Sequence, residues 1–255
     1  MTNMITKGKD KPKKKSVLLF SGGMDSLIMN YLLKPDVLLV IPHGNKYEKK
    51  EMECISTLIK KKIIDKKKVV FDDSLQLGQY ERDDAIIPNR NLYFVTLATH
   101  YGETIYLGSV YGDRSLDKSK VFFKKCEDMF NYLFQDQHWC KGRTFSISAP
   151  FKNLTKTELV KLYLSKKGSE DALLESYSCY DGKNKPCGVC KPCCRKNVAL
   201  TNNNIKTNNY FVSEFYEAEW FKKLLPLIKK NKYRGREDSE ILKAVKKLKD
   251  EKNNN

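Results

Sequence analysis

The sequence predicts an α/β protein built on a doubly wound parallel sheet. Three observations predict it. From residue 16 onward, short apolar runs alternate with helix-length amphipathic stretches, the pattern of parallel strands joined by crossover helices. A double glycine separates the first apolar run from the first helix. Cysteines crowd into the last third of the chain, ahead of two further amphipathic stretches.

The elements follow in order. Residues 1–15 read as a basic tail. Ser16 to Phe20 is a buried first strand and Met24 to Leu33 the helix after it. Val37 to Ile41 is a second strand, with a helix from about Lys46 to Lys61. Lys68 to Phe71 is a short third strand. Asn91 to Tyr101 is an apolar helix that leads into a fourth strand, Thr104 to Leu107. Val121 to Phe134 is amphipathic, and Phe145 to Ser148 is a fifth strand. Thr155 with Glu158 three residues later is a capping box, so a helix starts there, and Gly168 is placed to stop it. Residues 201–209, rich in Asn and Thr, read as a linker. Phe211 to Lys230 and Glu237 to Lys249 read as two helices with lysine-bearing solvated faces, accessory to any chemistry, and the terminal asparagines as a disordered end.

Composition narrows the function. With 255 residues, 40% of them hydrophobic, the chain has material for one large core. No apolar run approaches the roughly 20 residues of a membrane span. The lysine-rich N-terminus has no apolar segment of signal-peptide length behind it, so the expected setting is cytoplasmic. The net charge of +17 invites a nucleic-acid reading. Lysine dominates over arginine, however, and Asn, Ile and Tyr are abundant, a mixture that an AT-rich genome writes without selection for binding.

In a reducing compartment, clustered cysteines favour metal over disulfides. Of eight cysteines, five lie between Cys179 and Cys194, while Cys54, Cys126 and Cys140 read as packing residues. Cys179, Cys187, Cys190 and Cys193 follow C-x7-C-x2-C-x2-C. Thiolates two residues apart in tight turns can share one tetrahedral ion, and Gly188 and Pro192 suit such turns. Four sulfurs leave no open position, so the expected zinc is structural. Cys194, next to Cys193, competes for the fourth place.

Ser21-Gly22-Gly23-Met24-Asp25-Ser26 lies between the first strand and the first helix. The glycines let backbone approach an anion, and the helix amino end beyond supplies unpaired N–H groups. Ser21 and Ser26 add hydroxyls, and Asp25 orients the loop or reaches a magnesium ion. The spacing is too short for a Walker loop and lacks its lysine.

This loop resembles the PP-loop of the N-type ATP pyrophosphatases, the adenine nucleotide alpha hydrolase-like fold. Taken with Ser178-Cys179-Tyr180 and Cys187-Gly188-Val189-Cys190-Lys191-Pro192-Cys193, the chain resembles the 7-cyano-7-deazaguanine synthase (QueC) family. Ile87-Pro88-Asn89-Arg90-Asn91 is similar to that family's Pro-Gly-Arg-Asn segment. Leu107-Gly108 with Asp113, and Ala149-Pro150-Phe151 with Leu154 to Val160, complete an ordered set spanning about residues 16–199. The resemblance implies a PP-loop domain over 16–175 and a zinc module over 176–200, and the helical extension over 209–250 lies outside it. It implies ATP, Mg2+ and Zn2+ as cofactors, and conversion of 7-carboxy-7-deazaguanine and ammonia to the nitrile. It allows a homodimer and brings in nucleic acid only through the product. Asp25, Ser26 and Arg90 are the expected catalytic residues, with Arg90 as a phosphate or carboxylate clamp.

The sequence departs from the family where a Tyr-Gly-Gln-Arg-His-like run is replaced by His43-Gly44-Asn45-Lys46-Tyr47, with Glu51 following. Residues 114–119 also differ. His43 is a base candidate or a structural histidine. Other PP-loop enzymes, thiolating or amide-forming, and a basic zinc-containing nucleic-acid-binding module remain as alternatives.

Overall fold

The computed structural model describes residues 14–139 and 141–253. Of the basic tail only Lys14 and Lys15 are described, and the readings of Cys140 and of the last two asparagines lie outside the described residues. Five parallel strands form one sheet: β1 (Ser16–Leu19), β2 (Val37–Val40), β3 (Val69–Phe71), β4 (Thr104–Tyr106) and β5 (Ser146–Ser148), in the order β3-β2-β1-β4-β5. Strands read as near-continuous apolar runs because both faces are covered. Leu18, Phe20, Leu38 and Val40 pack against helices α1 (Met24–Leu33) and α2 (Glu48–Lys60). Their alternating neighbours Val17, Val37 and Leu39, with Ile105 and Ile147, pack against α3 (Arg90–Ala98) and α4 (Lys120–Leu133). The strand order reverses between β1 and β4, so a crevice opens beyond their carboxyl ends.

Helix α5 (Lys156–Ser165) starts at the expected capping box, in which the Thr155 hydroxyl accepts from the Glu158 N–H and the Glu158 carboxylate from the Thr155 N–H. Its end differs from the sequence reading. Lys167 takes the left-handed turn (φ 64°), while the N–H of Gly168 donates to Tyr163 O and that of Lys167 to Leu164 O, a Schellman closure. Gly168 is needed for space, since a Cβ there would sit 2.3 Å from the Tyr163 ring. The short helix α6 (Glu170–Glu175) has no periodic signal long enough to read in advance.

The expected linker is not one. Helix α7 (Lys191–Asn202) runs into it, and Thr201, Ile205 and Thr207 are buried. The two C-terminal helices, α8 (Glu219–Lys229) and α9 (Arg236–Asn253), pack onto the rest of the chain through their apolar faces. Phe215, Phe221, Ile228, Ile241 and Leu248 bury themselves against Cys194 and Val198 of α7. Arg195 of α7 donates to Asp113 (2.6 Å) and to Glu237 of α9 (2.6 Å), and Arg234 holds Gly112 O (2.8 Å). Arg236 donates to Asn153 O (2.6 Å), and Glu240 accepts from the Thr155 hydroxyl (2.7 Å). The lysine faces are solvated as expected, yet the opposite faces bind the loop after β4 and the start of α5.

Candidate active site and metal centre

The first loop closes tightly because Gly22 adopts φ 70° with α2 behind it, where a Cβ would meet Ile55 at 3.0 Å. Gly23 caps α1 with no side-chain hydrogen bond, so the helix amino end keeps N–H groups open to the crevice. The Ser26 hydroxyl donates to Gly23 O (3.0 Å) and lies 3.4 Å from the Ser21 hydroxyl. Asp25 is ion-paired with Lys156, the first residue of α5. Its other oxygen, Oδ1, is buried without a hydrogen-bond partner. A buried carboxylate oxygen with a free lone pair fits a hard cation such as Mg2+. Thus Ser21, Gly23, Met24, Asp25 and Ser26 line a cavity at the sheet's switch point, while Gly22 shapes the turn from behind.

Lys118 enters the same cavity from the loop after β4 and lies 3.5 Å from Asp113. Against the opposing effect of burial, Lys118, Arg195 and Lys156 hold the Asp113 carboxyl well below the usual carboxylate range. The cavity therefore carries two lysines beside the glycine loop, each paired with an aspartate. Lys156 falls within the Leu154–Val160 family segment, but the sequence singles out neither lysine as a site residue. Lys156 lies 131 residues from Asp25, and Lys118 falls in a segment that departs from the family pattern.

Arg90 opens α3 on the opposite wall. Asn89 before it adopts φ 60°, a conformation that glycine and asparagine both tolerate. That explains how Asn stands where the resemblance has Gly. The charge of Arg90 acts on His43, Tyr47, Glu51 and Tyr180. His43 is buried, with Nδ1 2.8 Å from Ile41 O and Nε2 2.9 Å from Asn45 Nδ2. Nδ1–H donating to the carbonyl and Nε2 accepting from the amide is the neutral tautomer, and burial lowers its pKa. Both ring nitrogens are committed, so His43 orients Asn45 and is not free to act as a base. Asn45 in turn reaches Glu51 (3.4 Å).

The four cysteines meet as well. The Sγ atoms of Cys179, Cys187, Cys190 and Cys193 all lie within 4.8 Å of one another. Backbone N–H groups of Asp181 and Cys187 point to Cys179 Sγ, and that of Cys190 to Cys187 Sγ, each at 3.3 Å. Such donors stabilise thiolates, and the donor set fits one tetrahedral Zn2+. Cys194 faces away into the apolar cluster of α8 and α9, and burial pushes its thiol up to about 12. The x2 spacing is what separates the two neighbours. Gly188 (φ 81°) is required here, since a Cβ would lie 1.7 Å from Ser213 O.

A family model described as Queuosine biosynthesis protein QueC matches residues 63–204. The chain is 30% identical over 215 residues to 7-cyano-7-deazaguanine synthase 2 of Colwellia psychrerythraea, covering 75% of this chain and 96% of that protein. The chain belongs to the QueC family.

The 7-cyano-7-deazaguanine synthase of Chlorobaculum parvum is 30% identical over 214 residues, covering 71% of this chain and 89% of its own. That of Methanobrevibacter smithii is 28% identical over 229 residues, covering 76% and 98%. The QueC model spans the Arg90 helix, the Asp113 loop and the four cysteines, whereas α8 and α9 fall beyond it. Among the described residues, no helix is long and apolar enough to cross a membrane.

Proposed function

We propose that the chain is an ATP-dependent carbon–nitrogen ligase that converts 7-carboxy-7-deazaguanine and ammonia to 7-cyano-7-deazaguanine. The observation that carries this reading is the uncapped amino end of α1 at the sheet's switch point. It faces Lys118 and Lys156 and shares a cavity with Arg90 and Glu51. Family membership brings ATP use, and the arrangement supports cleavage at the α-phosphorus. Ser21, the open N–H groups and the two lysines hold the β- and γ-phosphates as a leaving group. Arg90 then pairs with the substrate carboxylate and aims it at the α-phosphorus.

The chemistry proceeds in two like rounds. A carboxylate oxygen attacks the α-phosphorus and pyrophosphate leaves. Ammonia displaces AMP from the acyl adenylate and gives the primary amide. The amide oxygen attacks the α-phosphorus of a second ATP, a second pyrophosphate and one N–H proton leave, and loss of AMP and the remaining N–H proton gives the nitrile. Asp25, through its unpartnered oxygen, is the residue to hold Mg2+, which when bound neutralises phosphate charge. Cys179, Cys187, Cys190 and Cys193 would hold Zn2+ as a structural ion, and a reducing cytoplasm keeps such thiols available. Nucleic acid enters only as a later recipient of the product.

Mass spectrometry after incubation with ATP, Mg2+, ammonium and 7-carboxy-7-deazaguanine tests the reading. The expected products are the nitrile and AMP. Recovery of unchanged carboxylate with no ATP consumed would remove it.

A further inference from the structure

The mechanism above leaves one acidic group in the cavity without a task. Glu51 lies in the first half of α2, the helix that backs the Gly22 turn, and its side chain lines the cavity wall shared with Tyr47, Arg90 and Tyr180. Its contact with protein is slight, a 3.4 Å approach from Asn45 Nδ2. Among the described residues it has no ion-pair partner. Burial pushes its carboxyl up to about 7, against the lowering effects of Asn45 and Arg90. A desolvated carboxylate with unfilled acceptor positions costs stability unless a ligand donates to it. Asn45, held by His43 on one side and accepting the Tyr47 N–H (3.0 Å) with its own oxygen, keeps the group in place.

Beside it, Tyr47 and Tyr180 stack with centroids 5.0 Å apart and an interplanar angle of 22°. Tyr180 leaves nearly half its surface open. An aromatic platform next to an acceptor-only group is a site for a flat heterocycle that donates along one edge.

Resting on the proposed function, we infer that Glu51 is the specificity-determining residue for the 2-amino-6-oxopyrimidine edge of the substrate. Its two oxygens accept from the ring N1–H and the exocyclic amino group while the base lies against Tyr180. The adenine of ATP does not fit this position. Its corresponding edge offers one donor and one acceptor, and the acceptor lone pair would oppose a carboxylate oxygen. Apolar strand ends such as Leu39, Ile41 and Leu107, elsewhere in the same cavity, suit adenine better.

The experiment compares 7-carboxy-7-deazaguanine with its analogue lacking the 2-amino group. Both are assayed by pyrophosphate release with wild type, Glu51→Gln and Glu51→Asp. Hydrogen bonds to a charged group predict that wild type favours the natural base by about 10- to 100-fold in kcat/KM. Glu51→Gln brings that ratio to within a few-fold and leaves the KM for ATP unchanged, whereas Glu51→Asp retains part of the preference. A structural role would not move the ratio. Turnover with the same ratio in Glu51→Gln, or a parallel rise in the KM for ATP, overturns the assignment while leaving the proposed function standing. No pyrophosphate release with either compound from wild type overturns the proposed function, and this assignment with it.

Discussion

The crevice above the sheet and the seam under the C-terminal helices are both rich in charge, and they treat it in opposite ways. In the crevice, polar groups are left wanting. The amino end of α1 is uncapped, Asp25 Oδ1 has no partner, and Glu51 makes one long contact. In the seam, Arg195 uses both terminal nitrogens, on Asp113, Glu237 and Tyr111 O, although its Nε is buried without a partner. Asp238 accepts from the N–H groups of Tyr233 and Arg234 at 2.9 Å. Open groups that line the cavity cost stability until a ligand meets them, whereas the paired groups of the seam fix geometry. The seam also supports the crevice, because it grips the loop that carries Lys118 and the start of the helix that carries Lys156.

The largest expected effect comes from removing the seam altogether. A chain ending at residue 208 exposes what Phe215, Phe221, Ile228, Ile241 and Leu248 now cover. Each such side chain contributes about 1.5–3 kcal/mol when buried, against a total stability of about 5–15 kcal/mol. Truncation is therefore expected to abolish cooperative unfolding by calorimetry. A stable, active truncate would bear out the reading of these helices as accessory to the chemistry.

On the crevice side, Ser26→Ala or Asp25→Ala is expected to lower turnover by about 100- to 1,000-fold. For Ser26→Ala the Tm and bound zinc should stay as in wild type, whereas Asp25→Ala also leaves Lys156 unpaired and lowers Tm. Equal losses of rate and Tm would erase the contrast between the two regions. Glu237→Gln is the converse. Leaving Arg195 half-paired costs about 3–5 kcal/mol, a fall in Tm of roughly 10 °C or more, with a smaller fall in kcat than Ser26→Ala.

What the sequence made legible was local. Apolar runs fixed the strands to within a residue or two, and the capping box gave the start of α5. The glycine turn and the cysteine spacing each bring their residues together over a few positions. Long-range pairings were out of reach. Asp25 with Lys156, Asp113 with Arg195, and Arg195 with Glu237 join residues 131, 82 and 42 positions apart. The helical pattern of α9 shows an amphipathic face without naming what covers it. The Asn-rich stretch after α7 misled because its composition is loop-like, while Thr201, Ile205 and Thr207 are buried, Ile205 among residues of distant segments.

Smaller effects sharpen the contrast. Zinc content should be one per chain in reduced protein and unchanged in Cys194→Ala, whereas Cys193→Ala loses it, as elemental analysis would report. The pH dependence of Glu51 has a definite sign. The groups facing it are Asn45, Arg90 of α3 and Glu48 of its own helix. Its folded pKa of about 7 exceeds the ordinary 4.5. Between those values the folded chain binds the extra proton, so Glu51 lowers stability progressively as pH rises through that window. Glu51→Gln is therefore expected to raise Tm at pH 8 and leave it unchanged at pH 4. For the natural base, kcat/KM should fall below about pH 7 in wild type, and that inflection should be absent in Glu51→Gln.

The central claim is that the carboxylate is adenylated, and oxygen tracing tests it most directly. With both carboxylate oxygens of 7-carboxy-7-deazaguanine labelled as 18O, each round carries one labelled oxygen away on AMP. The account predicts two singly labelled AMP molecules per nitrile formed, with no label in pyrophosphate. Unlabelled AMP, or ADP accompanied by labelled phosphate, would contradict it.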